Sequence, residues 1–255
     1  EENERKPYKV EITEVTDENG DGRIDLSDVE YLMRNKKNTM TLLEGDGDFR
    51  SPECVELLKE ADIVVTNPPF SLFRDYVALL MQYNKQFAII GNQNAITYRE
   101  IFPLIKSNKI WLGYNNGHYW FMVPDSYEEK KTDFKIDESG QKWRRMGNIC
   151  WFTNLDIEKR HENMTLFRTY SLDIYPKYDN YDAIEVSKTA DIPCDYDGYM
   201  GVPITFMQYY NPEQFEIAGL DDHRVEWVGH GPRLNGKVKY RRVIIRRKQV
   251  NTNEN

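Results

Sequence analysis

A short apolar run broken at once by two prolines constrains the fold of this chain more than any other feature. Ala61-Asp62-Ile63-Val64-Val65-Thr66 is strand-like, and Asn67-Pro68-Pro69-Phe70 interrupts it. From Leu72 to Tyr83 the apolar residues Phe73, Val77 and Leu80 then recur at helical spacing, with Arg74, Asp75 and Gln82 between them. The run is β-branched and does not alternate, which predicts a parallel-sheet strand buried on both faces. Prolines fix φ and remove N–H donors, so neither the strand nor the helix continues through them. The four residues are therefore expected in a strand-to-helix turn at the carboxyl end of a strand, where open α/β sheets bind their ligands.

A turn of this composition suits one kind of chemistry. An exocyclic amine conjugated to a ring is a poor nucleophile because its lone pair is delocalised. The carboxamide oxygen of Asn67 and the carbonyl of Pro68 could each accept one amino hydrogen, which favours a tetrahedral nitrogen. Phe70 offers a flat face on which a planar base can stack. The plainer alternative is a proline-rich turn with a buried aromatic.

Further elements follow along the chain. Gln86 to Ile90 reads as the next strand, and Lys109 to Gly113 with Gly147 to Thr153 as an antiparallel pair at the far edge of the sheet. Between these, Gly117 to Trp143 is aromatic and charged and reads as an insertion facing substrate. Thr97-Tyr98-Arg99-Glu100 has the spacing of a capping box, with Pro103 expected to shorten or kink the helix it opens. After Asp156 the composition turns rich in Tyr, Asp and Pro, so the expected division is a catalytic domain over 1–155 and a recognition region over 156–255.

A second local signal is Asp17-Glu18-Asn19-Gly20-Asp21-Gly22-Arg23-Ile24-Asp25-Leu26-Ser27-Asp28. It matches a calcium loop with oxygen ligands at positions one, three and five, glycine at six and a carboxylate at twelve. The ligands would be Asp17, Asn19, Asp21, the Arg23 carbonyl and Asp28, holding a structural Ca2+ ion. Position twelve is Asp rather than the usual Glu, and Tyr8 to Val15 before the loop alternates like a strand instead of forming an entering helix. An acidic turn shaped by Asx and glycine geometry is the alternative.

Composition narrows the class of protein. Hydrophobic residues make up 40% and aromatic residues 13% of 255 residues, which supports a packed core, and no apolar run approaches the length of a membrane span. Cys54, Cys150 and Cys194 are too widely separated for a metal pair, and a reducing cytoplasm is expected. The histidines, His118, His161, His223 and His230, show no metal spacing and receive no catalytic role. With a net charge of −8, nucleic-acid binding would have to rest on local clusters: Lys142, Arg144 and Arg145 beside Trp143, and Lys237, Lys239, Arg241, Arg242 and Arg246 to Lys248. For Arg241 to Lys248 an edge strand protected by positive charge is the competing explanation. The eight tyrosines from Tyr170 to Tyr210 are read first as packing residues with wet hydroxyls.

Several longer motifs accompany Asn67 to Phe70: Gly45-Asp46-Gly47-Asp48-Phe49-Arg50-Ser51, Ile90-Gly91-Asn92-Gln93-Asn94, Gly147 to Asn154, Tyr196 to Pro203, and Asn211-Pro212-Glu213-Gln214-Phe215. Together they make the chain, from about Tyr8 to Lys248, resemble the EcoRI-type N6-adenine-specific DNA methyltransferases of restriction-modification systems. The resemblance implies an α/β fold: a Rossmann-like mixed sheet with an antiparallel edge hairpin, which binds S-adenosylmethionine, plus a C-terminal α+β recognition region. It implies methyl transfer to N6 of an adenine flipped out of double-stranded DNA, with a cognate restriction endonuclease as partner. By the same resemblance Asn67 and Pro68 hold the amino group within a turn completed by Pro69, and Phe70 stacks on the base. Asp46 or Asp48, with Phe49, would contact the adenosyl part of the cofactor. The cofactor loop that follows the first strand of this fold is not found between Glu1 and Thr66, so the first strand, first helix and second strand are expected upstream. Two alternatives remain: a methyltransferase acting on a glutamine amide or an RNA base, and a non-catalytic module binding calcium and nucleic acid.

Overall fold

The computed structural model describes residues 6–34, 39–220 and 231–248. The chain forms two compact units, Glu1–Asp62 and Ile63–Asn255.

In the first unit, β1 (Tyr8–Glu11) pairs antiparallel with β2 (Thr39–Leu42), and α1 (Leu26–Arg34) lies between them in sequence. The alternating strand expected from Tyr8 to Val15 is realised only over its first four residues. Next comes α2 (Pro52–Glu60), with Ser51 as its N-cap accepting from the Cys54 amide at 3.3 Å and proline in its first turn.

The second unit opens with β3 (Ile63–Thr66), the Asn67–Pro69 turn, a single 3-10 turn over Phe70–Leu72 and α3 (Phe73–Gln82). As the spacing predicts, Phe73, Val77 and Leu80 form the buried stripe of α3. Parallel to β3 runs β4 (Gln86–Asn92), in register from Ile63 opposite Gln86 to Thr66 opposite Ile89. Then follow α4 (Phe102–Lys106), β5 (Trp111–Met122), β6 (Phe134–Ile136) and β7 (Lys142–Thr153). The sheet order is β3-β4-β7-β5, with β7 antiparallel to both neighbours and β6 paired to β7. The expected antiparallel pair is therefore present, with β5 at the far edge.

Two local expectations fail. Although strand-like, β3 is not buried on both faces: it ends the sheet, and Val65 is 65% exposed. The capping box at Thr97 opens no helix, because the Thr97 hydroxyl turns back to the Asn94 carbonyl at 2.9 Å and closes a 3-10 segment instead. With Pro103 in its first turn, α4 starts only at Phe102.

Beyond Asp156 lie β8 (Ala183–Glu185), β9 (Tyr199–Val202), β10 (Phe215–Leu220), β11 (Arg233–Leu234), β12 (Lys237–Val238) and β13 (Val243–Arg247). Four of these form a second sheet in the order β10-β13-β9-β8, and β11 with β12 forms a separate ribbon. The α+β character expected here is not found: the described residues after Asp156 hold strands and 3-10 turns and no α-helix. Frequent Pro, Asp and Tyr leave no stretch with the uninterrupted apolar period a helix needs. Lys106 of α4 donates to the Ala218 carbonyl of β10 at 2.6 Å, and Arg160, in the segment after β7, donates to Asn108 at 2.9 Å with its guanidinium 3.7 Å from the Trp111 ring centre. Among the described residues no helix is long and apolar enough to cross a membrane.

Candidate active site

The Asn67–Phe70 turn sits at the carboxyl ends of the parallel pair β3 and β4. Pro68 is buried and anchors the turn, whereas Asn67, Pro69 and Phe70 reach the surface, the Phe70 ring being 43% exposed. Among the described residues neither the Asn67 carboxamide nor the Pro68 carbonyl takes part in a hydrogen bond, so both oxygens remain open as acceptors. The Pro69 carbonyl, by contrast, accepts from the Leu72 amide at 2.9 Å and closes the 3-10 turn. A neighbouring aromatic face with two unspent acceptors fits a planar ring that carries an amino group.

What holds the turn still is a wedge behind it. Phe73, the first residue of α3, packs on Phe152 of β7 with ring centres 5.0 Å apart. Both rings lie over Gly91 of β4, where an added Cβ would stand 2.6 Å from Phe73 Cε2 and 2.9 Å from Phe152 Cε2. Glycine is therefore required for close approach, which gives the Ile90–Asn94 motif a physical meaning. Thr153 and Asn154 complete the support. The Thr153 hydroxyl donates to the Phe87 carbonyl at 2.6 Å, while Asn154 accepts from the Phe87 amide and donates to the Lys85 carbonyl, each at 2.8 Å.

The cofactor candidates Asp46, Asp48 and Phe49 lie in the first unit, apart in sequence from the turn. Asp48 is committed locally: Arg50 donates to it through Nε at 2.9 Å and Nη2 at 2.7 Å. The Arg50 guanidinium holds the Asp48 carboxyl at about 2, well below the ordinary carboxylate range. Asp46 is exposed and, among the described residues, accepts only the Asp48 amide, at 2.9 Å. Phe49 is half-buried, with the Arg50 guanidinium 5.2 Å from its ring centre. Gly47 between the acids has φ +77°, and a Cβ there would meet Pro7 at 2.9 Å, so the loop depends on glycine at that point.

The calcium-like loop is dense in hydrogen bonds from side chain to backbone. Among the described residues no group of three or more His, Cys, Asp or Glu side chains is placed to hold a metal ion. Asp17 accepts from the amides of Gly20, Asp21 and Gly22, and Asn19 from the Asp21 amide. Asp21 in turn accepts from the Arg23 amide, and Asp28 from the amides of Glu18, Asn19 and Asp25. Those amides, the Asp25 amide most strongly, hold the Asp28 carboxyl below its usual value. The side chains of Asp17, Asn19, Asp21 and Asp28 thus accept backbone amides in the manner of an Asx-shaped turn.

The expected phosphate-binding group at 142–145 is likewise committed. Lys142 donates to the carbonyls of Asp125 and Tyr127, and Arg144 to those of Thr132 and Asp133. Arg145 pairs with the Asp133 carboxylate at 2.6 Å. These side chains fasten the 123–136 segment to β7. Nor is β13 an edge strand, as the competing explanation for Arg241 to Lys248 required, since it lies between β10 and β9. Tyr175, Tyr178, Tyr181 and Tyr210 are buried, in keeping with packing roles. His161 lies between Asp156 at 2.8 Å and Glu213 at 3.3 Å; His223 and His230 lie outside the described residues, as does the His118 side chain.

One buried polar network had no local sequence signal. Glu185, 4% exposed, accepts from Arg242 at 2.6 Å, from Tyr178 and from Ser187 at 3.1 Å, joining β8 to the start of β13 across 57 residues of chain.

A family profile described as "Adenine-specific methyltransferase EcoRI" matches residues 1–248. The type II methyltransferase M.EcoRI of Escherichia coli is 51% identical over 81% of this chain and 64% of its own length, so this chain spans just under two thirds of that relative. M.MgeORF184P of Mycoplasma genitalium is 42% identical over 86% of this chain and 75% of its own length. For M.MpnI of Mycoplasma pneumoniae the figures are 41%, 81% and 70%. No solved structure matches. With a profile match over nearly the whole chain and relatives this similar, the chain belongs to the EcoRI family of adenine-specific methyltransferases.

Proposed function

We propose that this chain carries the catalytic turn of an S-adenosylmethionine-dependent methyltransferase that modifies N6 of adenine in double-stranded DNA, as part of a restriction-modification system. The observation that supports this most is the pair of unspent acceptors, Asn67 Oδ1 and the Pro68 carbonyl, beside the exposed Phe70 ring. The names of the relatives point the same way.

In this reading Phe70 stacks on an adenine flipped out of the duplex, which a ring exposed at the end of the parallel pair β3 and β4 suits. Asn67 and Pro68 each accept one N6 hydrogen, drawing the lone pair out of conjugation and toward the methyl donor. These two hydrogen bonds strengthen as positive charge develops on nitrogen, so they act mainly in the transition state. S-adenosylmethionine, when bound, supplies a methyl group on a sulfonium. The nitrogen–carbon bond forms as the sulfur–carbon bond breaks, and the amine then loses one proton to solvent. No covalent enzyme intermediate is involved. Asp46 or Asp48, with Phe49, would hold the adenosyl part; Asp46 has the more open carboxylate. Residues 1–155 would carry the Rossmann-like catalytic domain and 156–255 target recognition, with a cognate endonuclease cutting the unmethylated site.

The test is mass spectrometry of nucleosides from DNA incubated with S-adenosylmethionine and the protein made from the complete reading frame, beside its Asn67→Ala variant. N6-methyladenine is expected from the unmutated protein. The variant should transfer about 100-fold more slowly in a single turnover, with DNA affinity changed only a few-fold. Absence of methylated base on any DNA would direct attention to glutamine-amide or RNA substrates.

A further inference from the structure

Residues 231–248 hold eight Lys or Arg and no Asp or Glu, on a chain whose net charge is −8. The fold separates them into two groups. Arg242 is committed to Glu185 and Arg246 to Glu216 at 2.8 Å, inside or beside the second sheet. Arg233, Lys237, Lys239 and Arg241 form no ion pair among the described residues, and all four are exposed on the β11–β12 ribbon or its exit.

The ribbon is built to be rigid. Asn235 and Gly236 form its turn with φ +50° and +74°, the pairing of two positive φ values that matches the twist of a two-residue hairpin. Both oxygens of Asp179 cap that turn, accepting from the Asn235 amide at 3.1 Å and the Gly236 amide at 2.7 Å. Asn180 clamps the base of the ribbon, donating to the Gly231 carbonyl at 2.7 Å and accepting from the Arg233 amide at 3.0 Å. Leu234 packs into a core of Tyr178, Tyr181, Ala183 and Ile244. One face is thus anchored. Arg233 and Val238, paired across the ribbon, face outward, and Tyr240 at its exit is 88% exposed.

A preorganised two-stranded ribbon with unpaired cations around exposed apolar groups is complementary to a polyanion whose interior presents flat or methyl-bearing surfaces. The major groove of duplex DNA is about 12 Å wide and admits such a ribbon. We propose that the β11–β12 ribbon enters the DNA major groove, with Arg233, Lys237, Lys239 and Arg241 on flanking phosphates and Val238 and Tyr240 toward the base edges. The inference rests on the DNA substrate of the preceding section and adds the element that engages it.

The test uses protein from the complete reading frame and a duplex containing a site that the wild type methylates, beside a duplex of scrambled sequence. Lys239→Gln/Arg241→Gln should lower the slope of log Kd against log salt by about 2, one contact of ~0.9 per phosphate each. Tyr240→Ala should leave the salt slope unchanged and reduce discrimination between the two duplexes about ten-fold. All three side chains are exposed, so melting temperatures should match wild type, and Lys109→Gln is the control for loss of an exposed charge elsewhere. An unaltered slope and unaltered discrimination, with a wild type that methylates, would overturn the ribbon's role. A wild type that methylates no DNA would instead remove the underlying reading; the slope measured on scrambled duplex then still decides whether the ribbon contacts DNA.

Discussion

Substituting Gly91 by alanine probes how the Asn67–Phe70 turn is positioned without touching it. The new Cβ would lie 2.6 Å from Phe73 Cε2 and 2.9 Å from Phe152 Cε2. Carbon atoms pack at roughly 3.5 Å, so the Phe73 ring has to retreat by about 0.9 Å. It has no free direction, since Phe73 is fully enclosed and tilted at 59° against Phe152, itself buried. Overpacking of this kind costs about 1–3 kcal/mol, which for a unit of this size lowers Tm by roughly 2–12 °C. The displacement is carried to the start of α3, three residues after Phe70. A shift of about 1 Å at reacting groups costs on the order of 100-fold in rate. Differential scanning fluorimetry and single-turnover methylation measure the two effects. Phe73→Leu, which clears the space, should restore part of both in the double variant, giving a coupling energy of at least ~1 kcal/mol in the cycle. A Gly91→Ala protein that melts and methylates like wild type would refute the wedge.

Two further outcomes depend on charge. Burial pushes the Glu185 carboxyl up, but hydrogen bonds from Arg242 and Tyr178 outweigh it and hold its pKa below the ordinary 4.5. The ionised pair therefore contributes stability above that value, and the contribution is lost as pH falls through the lowered pKa. Arg242→Met should cost about 3–5 kcal/mol at pH 7 by stranding a buried carboxylate, whereas Glu185→Gln should flatten the acid limb of urea-unfolding stability against pH. For His161 the sign is opposite. Hydrogen bonds first to Asp156 and then to Glu213 raise its pKa above 6.5, so its stabilisation is complete below that value and declines as pH rises through the raised pKa. The difference in Tm between wild type and His161→Gln should shrink from pH 6 to pH 8; a constant difference would show that the imidazolium is not what joins the two carboxylates.

Much of the first half of the chain could be read from local order. β3, its proline turn, the Phe73, Val77 and Leu80 stripe and the strand character of β5 and β7 all depend on neighbours within a few residues, where propensity and periodicity act. Readings that depended on spatial neighbours fared worse. That β3 ends its sheet, that the oxygens of Asp17 to Asp28 turn to backbone amides, and that Lys142 to Arg145 fasten the 123–136 segment all follow from what lies alongside in space. Gly91 was visible as part of a motif, but its reason, two phenylalanines from α3 and β7 converging on one point, exists only after folding. The same holds for the eight cations of residues 231–248. Sequence alone determined that a basic segment follows an acidic chain; the tertiary structure decided which of its cations form ion pairs, because Glu185 and Glu216 sit beside Arg242 and Arg246 and neutralise them, whereas the Asp179 carboxylate at the ribbon is taken up by the Asn235 and Gly236 amides and, among the described residues, Arg233, Lys237, Lys239 and Arg241 form no ion pair.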